Sequence, residues 1–251
     1  MKPTQIIDTF QHARKDATLA VIEGVQALKH AQRFGAEITH YITCDIDGLA
    51  SDITDDILQR ITVVDEEVFS KLSPTPHRTR VMAIAKRADY SFSNIDQQRP
   101  VVFLEDPRDL ENVGAVIRVA AAANAAAVFI SGSIDIWHPA VIRGGAGLHW
   151  AVPVFDSRTC HPELVSGSTT IAEQILQTIR EKRQVIALDP TGQQLNPEKI
   201  PKNVVLVFGT ERHGITQQTL EKSDRIVALP MKKGVSSLNL ATSVAATLYQ
   251  L

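Results

Sequence analysis

The sequence predicts an α/β protein: a C-terminal domain built on a parallel sheet, preceded by a small α/β domain. Three observations point there. From residue 101 onward, continuous apolar runs such as "VVFLE", "AVFIS" and "VVLVF" alternate with stretches of helical periodicity. That is the pattern of strands buried on both faces and joined by crossover helices. The polar stretch "RADYSFSNIDQQRP" (87–100) ends in proline and separates this region from a differently patterned one. The length, 251 residues, exceeds one average domain and suits two. The expected division is a first domain over 1–90, a linker over 91–100 and a second domain over 101–251.

In the first domain, "LAVIEGVQALKHAQRFG" suggests a short strand, a turn near Glu23-Gly24 and a helix ending at Gly35. "ITHYIT" (38–43), "RITVV" (60–64) and "RVMAIAK" (80–86) read as further strands. "DEEVFSKLS" (65–73) carries acids at its start and a lysine near its end, as a short helix prefers. In the second domain, "VVFLE" (101–105) precedes a helix near 113–124 and the strand "AVFIS" (127–131). "VIRGGAGLHW" (141–150) leads to the strand "AVPVF" (151–155). A helix near 171–182, "VIALD" (185–189), "VVLVF" (204–208), a helix near 216–223, "RIVALP" (225–230) and a last helix near 238–250 follow. The polar, aperiodic stretch around 157–170 is long for a connection and reads as a peripheral insertion.

Composition narrows the function. A hydrophobic content of 44% supports sizeable cores, and a net charge of −2 gives no bulk attraction for nucleic acid or anionic membrane, although local patches outweigh totals. Cys44 and Cys160 lie far apart and no CxxC or HExxH occurs, so neither a disulfide framework nor a metal site is expected. The N-terminal stretch lacks an apolar signal core, and no apolar run reaches the ~18 residues of a membrane span. The expectation is a cytoplasmic protein with no membrane partner.

Ligands of open parallel sheets sit beyond the carboxyl ends of the strands, so the turns there carry the functional reading. In "DPRDLENVGAVIRVAAAANAA" (106–126), Asn112 reads as a helix N-cap and Gly114 permits close approach. Ala115, Arg118 and Ala122 share a helical face, which leaves room around the Arg118 guanidinium. On this stretch alone, a solvated arginine beside a capping asparagine is the favoured reading. No G-x-G-x-x-G follows the strand, which counts against a nicotinamide or flavin enzyme. In "GTERHG" (209–214), two glycines bracket exposed backbone groups and Glu211, the only carboxylate there; an ordinary strand-to-helix turn is the alternative. In "LPMKKGVSSLNLATSVAATLYQL" (229–251), Leu238, Ala241, Ala245 and Leu248 lie on one stripe. Ser236 or Ser237 can cap that helix, yet two serines and Asn239 crowd its start, more hydrogen-bonding capacity than one cap requires.

In order and spacing together, these stretches resemble the SpoU/TrmH branch of the SPOUT RNA 2′-O-ribose methyltransferases. "NVGAVIR" matches the first motif of that family, N-x-G-x-x-x-R. "FGTERHG" followed by "IVALPM" matches the second, and "VSSLNLATSVAATLY" the third. "HPAVIRGGAGLHWAVPV" is similar to the N-P-x-x-x-R-x-x-x-G stretch, with His138 where the family has asparagine. The first domain resembles, more weakly, the small RNA-binding domain of ribosomal-protein type, through "VIEGVQAL"; "PTPHRTRVMA" (74–83) departs from the usual turn there.

The resemblance implies an α/β trefoil knot, which pattern reasoning alone would not propose. It further implies S-adenosylmethionine as cofactor, held by Gly209, Thr210, Leu229, Met231 and Leu238. Asn112, Arg118, Glu211, Ser237 and Asn239 are the implied catalytic set, tRNA or rRNA the substrate, and a homodimer through the C-terminal domain the assembly. An arginine loses its proton only above pH ~12, so Arg118 is expected to hold a phosphate and orient the ribose hydroxyl rather than act as a free base. With the resemblance, the acid-free stretch from Lys71 to Arg87 becomes an expected RNA-docking surface carrying Arg78, Arg80, Lys86 and Arg87. Two rivals stand beside this reading: a non-catalytic RNA-binding protein that keeps the knot, and a dehydrogenase already weakened by the missing glycine fingerprint.

Overall fold

Along the chain the elements are α1 (Pro3–Ala13), β1 (Leu19–Glu23), α2 (Val25–Arg33), β2 (Ile38–Thr43), α3 (Asp55–Arg60), β3 (Thr62–Val63), α4 (Glu66–Leu72), β4 (Val81–Lys86), β5 (Val101–Leu104), α5 (Leu110–Ala122), β6 (Ala127–Ile130), α6 (Pro139–Gly144), β7 (Val154–Asp156), β8 (Val185–Gln194), β9 (Val205–Phe208), α7 (Gln217–Lys222), β10 (Arg225–Ala228) and α8 (Leu240–Leu248). The structure is a computed structural model that describes residues 3–49, 51–73, 79–157, 176–177, 179–180, 182–210, 213–235 and 237–251. It divides into two compact units, Met1–Asp89 with Trp137–Ala151, and Tyr90–Ile136 with Val152–Leu251.

The first unit holds a four-stranded sheet in the order β1-β4-β2-β3. β4 runs antiparallel to both its neighbours, and β2 pairs with β3 in parallel. Ile6 and Phe10 of α1, with Phe69 and Leu72 of α4, pack against Val21, Ile42, Met82 and Ile84 of the sheet. The sequence reading passed over α1; its buried residues Ile6, Phe10 and Ala13 recur at i, i+4 and i+7, a narrow helical stripe. It also took 60–64 as a strand. Asp55 and Asp56 instead occupy the first turn of α3 and Ile57 buries, leaving β3 only two residues.

Trp137–Ala151 was expected in the second domain and is instead built into the first unit. The Glu23 side chain is fully buried, and it pairs with Arg14 (Nη2 to Oε1, 3.0 Å) and with Arg143 (Nη1 to Oε2, 3.3 Å). A buried carboxylate is tolerated only when compensated in this way. The Trp150 indole donates to the Lys86 carbonyl at 3.2 Å, and His30 Nδ1 lies 2.8 Å from the Ala146 carbonyl.

In the second unit all strand pairings are parallel, and the order is β10-β8-β9-β5-β6-β7. β5, β6 and β9 are buried along their whole length, which explains their unbroken apolar sequences. On one face Phe92 stacks on Phe155 (centroids 4.6 Å apart) and Phe129 on Phe155 (4.8 Å). α5 buries Val113, Val116, Ile117 and Ala120 and packs against α8.

Two helix starts differ from expectation. Asp109, not Asn112, caps α5: its Oδ1 accepts from the Asn112 N–H at 2.7 Å. Asn239, not Ser236 or Ser237, caps α8 by accepting from the amides of Ala241 (2.9 Å) and Thr242 (3.3 Å). α8 therefore starts after Leu238, which stays 40% exposed, and its buried stripe is Leu240, Val244, Thr247 and Leu248. The expected insertion around 157–170 and the helix near 171–182 fall largely outside the described residues. Among those described, no helix is long and apolar enough to cross a membrane, and no His, Cys, Asp and Glu group is placed to hold a metal ion.

Candidate functional site

The site forms where strands of the second unit end. β9 stops at Phe208, and the chain turns back on itself: Thr210 and Gly214 exchange two backbone hydrogen bonds, each 3.0 Å. The Thr210 hydroxyl accepts from the His213 amide at 2.9 Å. Gly209 is obligatory here. A Cβ on it would stand 2.0 Å from the Gly214 carbonyl carbon and 2.2 Å from the Ile215 nitrogen, both backbone atoms.

Glu105 holds this loop at both ends. It follows β5, and its N–H donates to the Phe208 carbonyl at 2.9 Å. Its buried carboxylate accepts from the Thr216 amide (2.8 Å), the Thr216 hydroxyl (2.9 Å) and the Thr219 hydroxyl. Thr216 is the N-cap of α7. One acidic side chain thus fixes where the loop ends and the next helix begins.

The second wall comes from an excursion in β8. Pairing with β10 runs from Ala187 opposite Ile226 to Gln193 opposite Val227, so Leu188–Gly192 leave the ladder. Asp189 closes a turn within the excursion, its Oδ1 accepting from the Thr191 amide (2.9 Å) and hydroxyl (2.6 Å). Gly192 lets the chain return, since a Cβ there would lie 2.6 Å from the Ile226 carbonyl carbon and the Val227 nitrogen.

Between these walls lies a pocket of about 380 Å³. Gly209, Thr210, Leu229, Met231 and Leu238, the residues expected to hold the cofactor, all line it, as does Ser237. Leu188, Asp189, Pro190 and Ser243 line it as well and escaped the sequence reading. The usable signal was "VIALDPTG", an apolar strand running into a turn at the same end of the sheet as "VVLVFGT". The volume and the mix of apolar walls with a few polar groups suit a small organic ligand. The glycine cradle and hydroxyls fit a nucleoside cofactor such as S-adenosylmethionine.

The expected catalytic residues are only partly gathered. Asn239 donates from Nδ2 to Asn112 Oδ1 at 2.9 Å, which ties the start of α8 to the first turn of α5. Arg118 is exposed on α5 and is not among the residues lining the pocket. Glu211 lies outside the described residues.

The expected RNA-docking stretch is not the unopposed cationic face that its sequence suggested. Acids from elsewhere meet it: Arg80 pairs with Asp45 (3.1 Å), Lys86 with Glu37 (2.7 Å) and Lys71 with Glu67 (2.8 Å). Arg87 donates to the carbonyls of Leu19 (2.7 Å) and Asp16 (3.2 Å) and lies over the Trp137 ring, a structural role. Arg78 is outside the described residues.

A parallel α/β sheet with a glycine-walled pocket at its strand ends, with described residues of all three motifs in that pocket or beside it, is the arrangement expected of an RNA methyltransferase of the SPOUT class. The SpoU rRNA Methylase family model matches residues 99–249, and the chain belongs to that family. It is 26% identical over 190 residues to an uncharacterized tRNA/rRNA methyltransferase of Synechocystis sp., covering 75% of this chain and 65% of that one. It is 23% identical to the 23S rRNA (adenosine(1067)-2′-O)-methyltransferase of Streptomyces azureus, covering 98% of this chain and 90% of that one. The crystal structure of the SpoU methyltransferase AviRb from Streptomyces viridochromogenes, in complex with the cofactor AdoMet, superposes with a TM-score of 0.77 at 17% identity, covering 98% of this chain and 96% of that one. The fold is therefore shared.

Proposed function

We propose that the protein transfers a methyl group from S-adenosylmethionine to a ribose 2′-hydroxyl of ribosomal RNA. The observation that carries this reading is the pocket lined by Gly209, Thr210, Leu229, Met231, Ser237 and Leu238. The relative from Streptomyces azureus, matched along nearly the whole chain, favours 23S rRNA over tRNA as the first substrate to test.

When bound, S-adenosylmethionine supplies the methyl group as an already activated sulfonium. The chain's own task is alignment, which contributes up to ~7–11 kcal/mol when reacting atoms are held in line. Gly209, Thr210, Leu229, Met231 and Leu238 hold the cofactor. Asn239 fixes the start of α8 and, through Asn112, the start of the helix that carries Arg118. Arg118 supplies a planar fork of donors that grips an RNA phosphate and orients the hydroxyl. Glu211 and Ser237 complete the set. A homodimer through the C-terminal domain belongs to this proposal; the exposed apolar Val235, Leu238 and Tyr249 supply surface for it. Arg78, Arg80 and Lys86 remain the RNA-docking candidates, with phosphates competing against the acids that now pair Arg80 and Lys86.

The experiment is transfer of labelled methyl to ribosomal RNA and to bulk tRNA by wild type, Arg118→Ala and Arg118→Lys, beside calorimetric titration of the cofactor. Arg118→Ala should lose most transfer yet bind the cofactor, and lysine should rescue little. Near-full transfer by Arg118→Ala removes Arg118 from the site. A wild type that binds the cofactor as a dimer and modifies neither RNA favours the non-catalytic rival.

A further inference from the structure

We propose that Asp189 makes the pocket a selector of charge, favouring the cationic sulfonium cofactor over the neutral thioether left after transfer. The inference rests on the cofactor reading above. Asp189 is presented by the excursion Leu188–Gly192, which leaves the β8–β10 ladder and returns to it at a glycine that no other residue can replace without displacing backbone. Its Oδ1 is bound twice by Thr191, which fixes the carboxyl plane. Oδ2 lies 3.7 Å from the point where a Cβ on Gly214 would sit, so it faces the loop that forms the opposite wall. Gly214 carries no side chain to cover it.

Asp189 is the one charged residue among the described residues lining the pocket; the others are apolar, hydroxylic or glycine. A cavity of about 380 Å³ is only about 9 Å across if taken as a sphere. Any charge inside it therefore sits near this carboxylate, wherever the ligand's other groups rest. Solvent salt screens such a distance only partly, because the Debye length is itself about 8 Å at physiological ionic strength.

The chemistry of transfer changes that charge. The S–CH3 bond breaks with its electron pair kept by sulfur, the ribose oxygen forms the new O–CH3 bond, and the hydroxyl proton passes to solvent. The ligand that remains, S-adenosylhomocysteine, has lost the sulfonium charge and little else. Asp189 attracts the first form more than the second, which favours loading with donor and release of product. A hydrogen bond accepted from a ligand hydroxyl or from the amino-acid ammonium adds equally to both forms, so only the attraction for the sulfonium separates them.

The test is calorimetric titration of the full chain with S-adenosylmethionine and with S-adenosylhomocysteine, for wild type, Asp189→Asn and Thr191→Val. The ratio of product Kd to donor Kd should fall about five-fold in Asp189→Asn, the effect of one charge at ~8 Å in a half-exposed site. Thr191→Val loosens the turn and keeps the charge, so it should weaken both ligands and leave the ratio near that of wild type. An unchanged ratio in a folded Asp189→Asn overturns the proposal and leaves the cofactor reading standing. Binding of neither ligand by wild type overturns both. Should Asp189→Asn not fold, the ratio in wild type should itself fall as salt is raised, and a ratio indifferent to salt overturns the proposal.

Discussion

Gly209→Ala isolates the loop on which the pocket depends. The added Cβ would stand 2.0 Å from the Gly214 carbonyl carbon, and an ordinary contact begins at 3.4 Å. The two sides of the loop must then part by the difference, about 1.4 Å. No side-chain rotation relieves this, because the opposing atoms are backbone. A movement of that size stretches both 3.0 Å hydrogen bonds between Thr210 and Gly214 past bonding range. Each costs about 1 kcal/mol, and residual crowding adds about 1 kcal/mol more. The total, near 3 kcal/mol, lowers Tm by about 6–12 °C for a chain of this size. Gly209, Thr210 and Gly214 all line the pocket, so cofactor affinity should fall at least about ten-fold in the same variant. Thermal unfolding by circular dichroism reads the first effect and calorimetry the second. A variant with wild-type Tm and wild-type affinity would refute the idea that loop closure shapes the pocket.

Other outcomes follow from the same contacts. Glu105→Ala leaves the Thr216 amide without its acceptor and frees the end of the loop at Thr216, while the backbone bond to Phe208 stays; it should cost about 2–4 kcal/mol and raise amide exchange at Gly214–Thr216, and unchanged exchange there would count against the clamp. Asn239→Asp keeps the acceptor that caps α8 but cannot donate to Asn112, so Tm should hold while methyl transfer drops. Asn239→Ala should lose about 1 kcal/mol of stability as well, and equal transfer by all three proteins would dismiss the Asn112 link. Burial pushes the Tyr90 phenol up from 10.0 to about 12. Between those values the folded chain keeps a proton that the unfolded chain releases, so stability is lost as pH rises through this window. Tyr90→Phe should flatten that alkaline limb in melts across the same range.

The strands were legible because burial on both faces leaves no polar alternation: Val101–Leu104 and Val205–Phe208 can be little else. The pocket residues at 209–210 and 229–238 were legible through motif and through the rule that ligands sit at strand ends. Four features were not. Asp109 and Asn112 are both good caps, and only the backbone path decides that Asp109 reaches the Asn112 amide. The excursion at Leu188–Gly192 reads as strand then turn, because loss of pairing with a distant partner leaves no local mark. The acids opposing Arg80 and Lys86, Asp45 and Glu37, lie 35 and 49 residues upstream, so an acid-free stretch of sequence gave a false impression of an acid-free surface. The helix α6 sits amid the second domain's sequence, and nothing local reports that Arg143 pairs with Glu23.

That last pairing bears on how the chain is made. Glu23 and Arg143 are 120 residues apart. Domains generally fold as units in the order of synthesis, yet here β1–β4 are finished long before Arg143 has been added. Until then Glu23 has Arg14 as its one guanidinium partner, and neither Ala146 nor Trp150 exists to meet His30 and Lys86. The contacts that complete the N-terminal unit can form only after Trp137–Ala151, a piece from the middle of its neighbour's sequence, has been added. A protein ended at residue 90 would keep Glu23 with only one of its two guanidinium partners and would lack the contacts of Ala146 and Trp150, which makes it a poor vehicle for RNA-binding measurements.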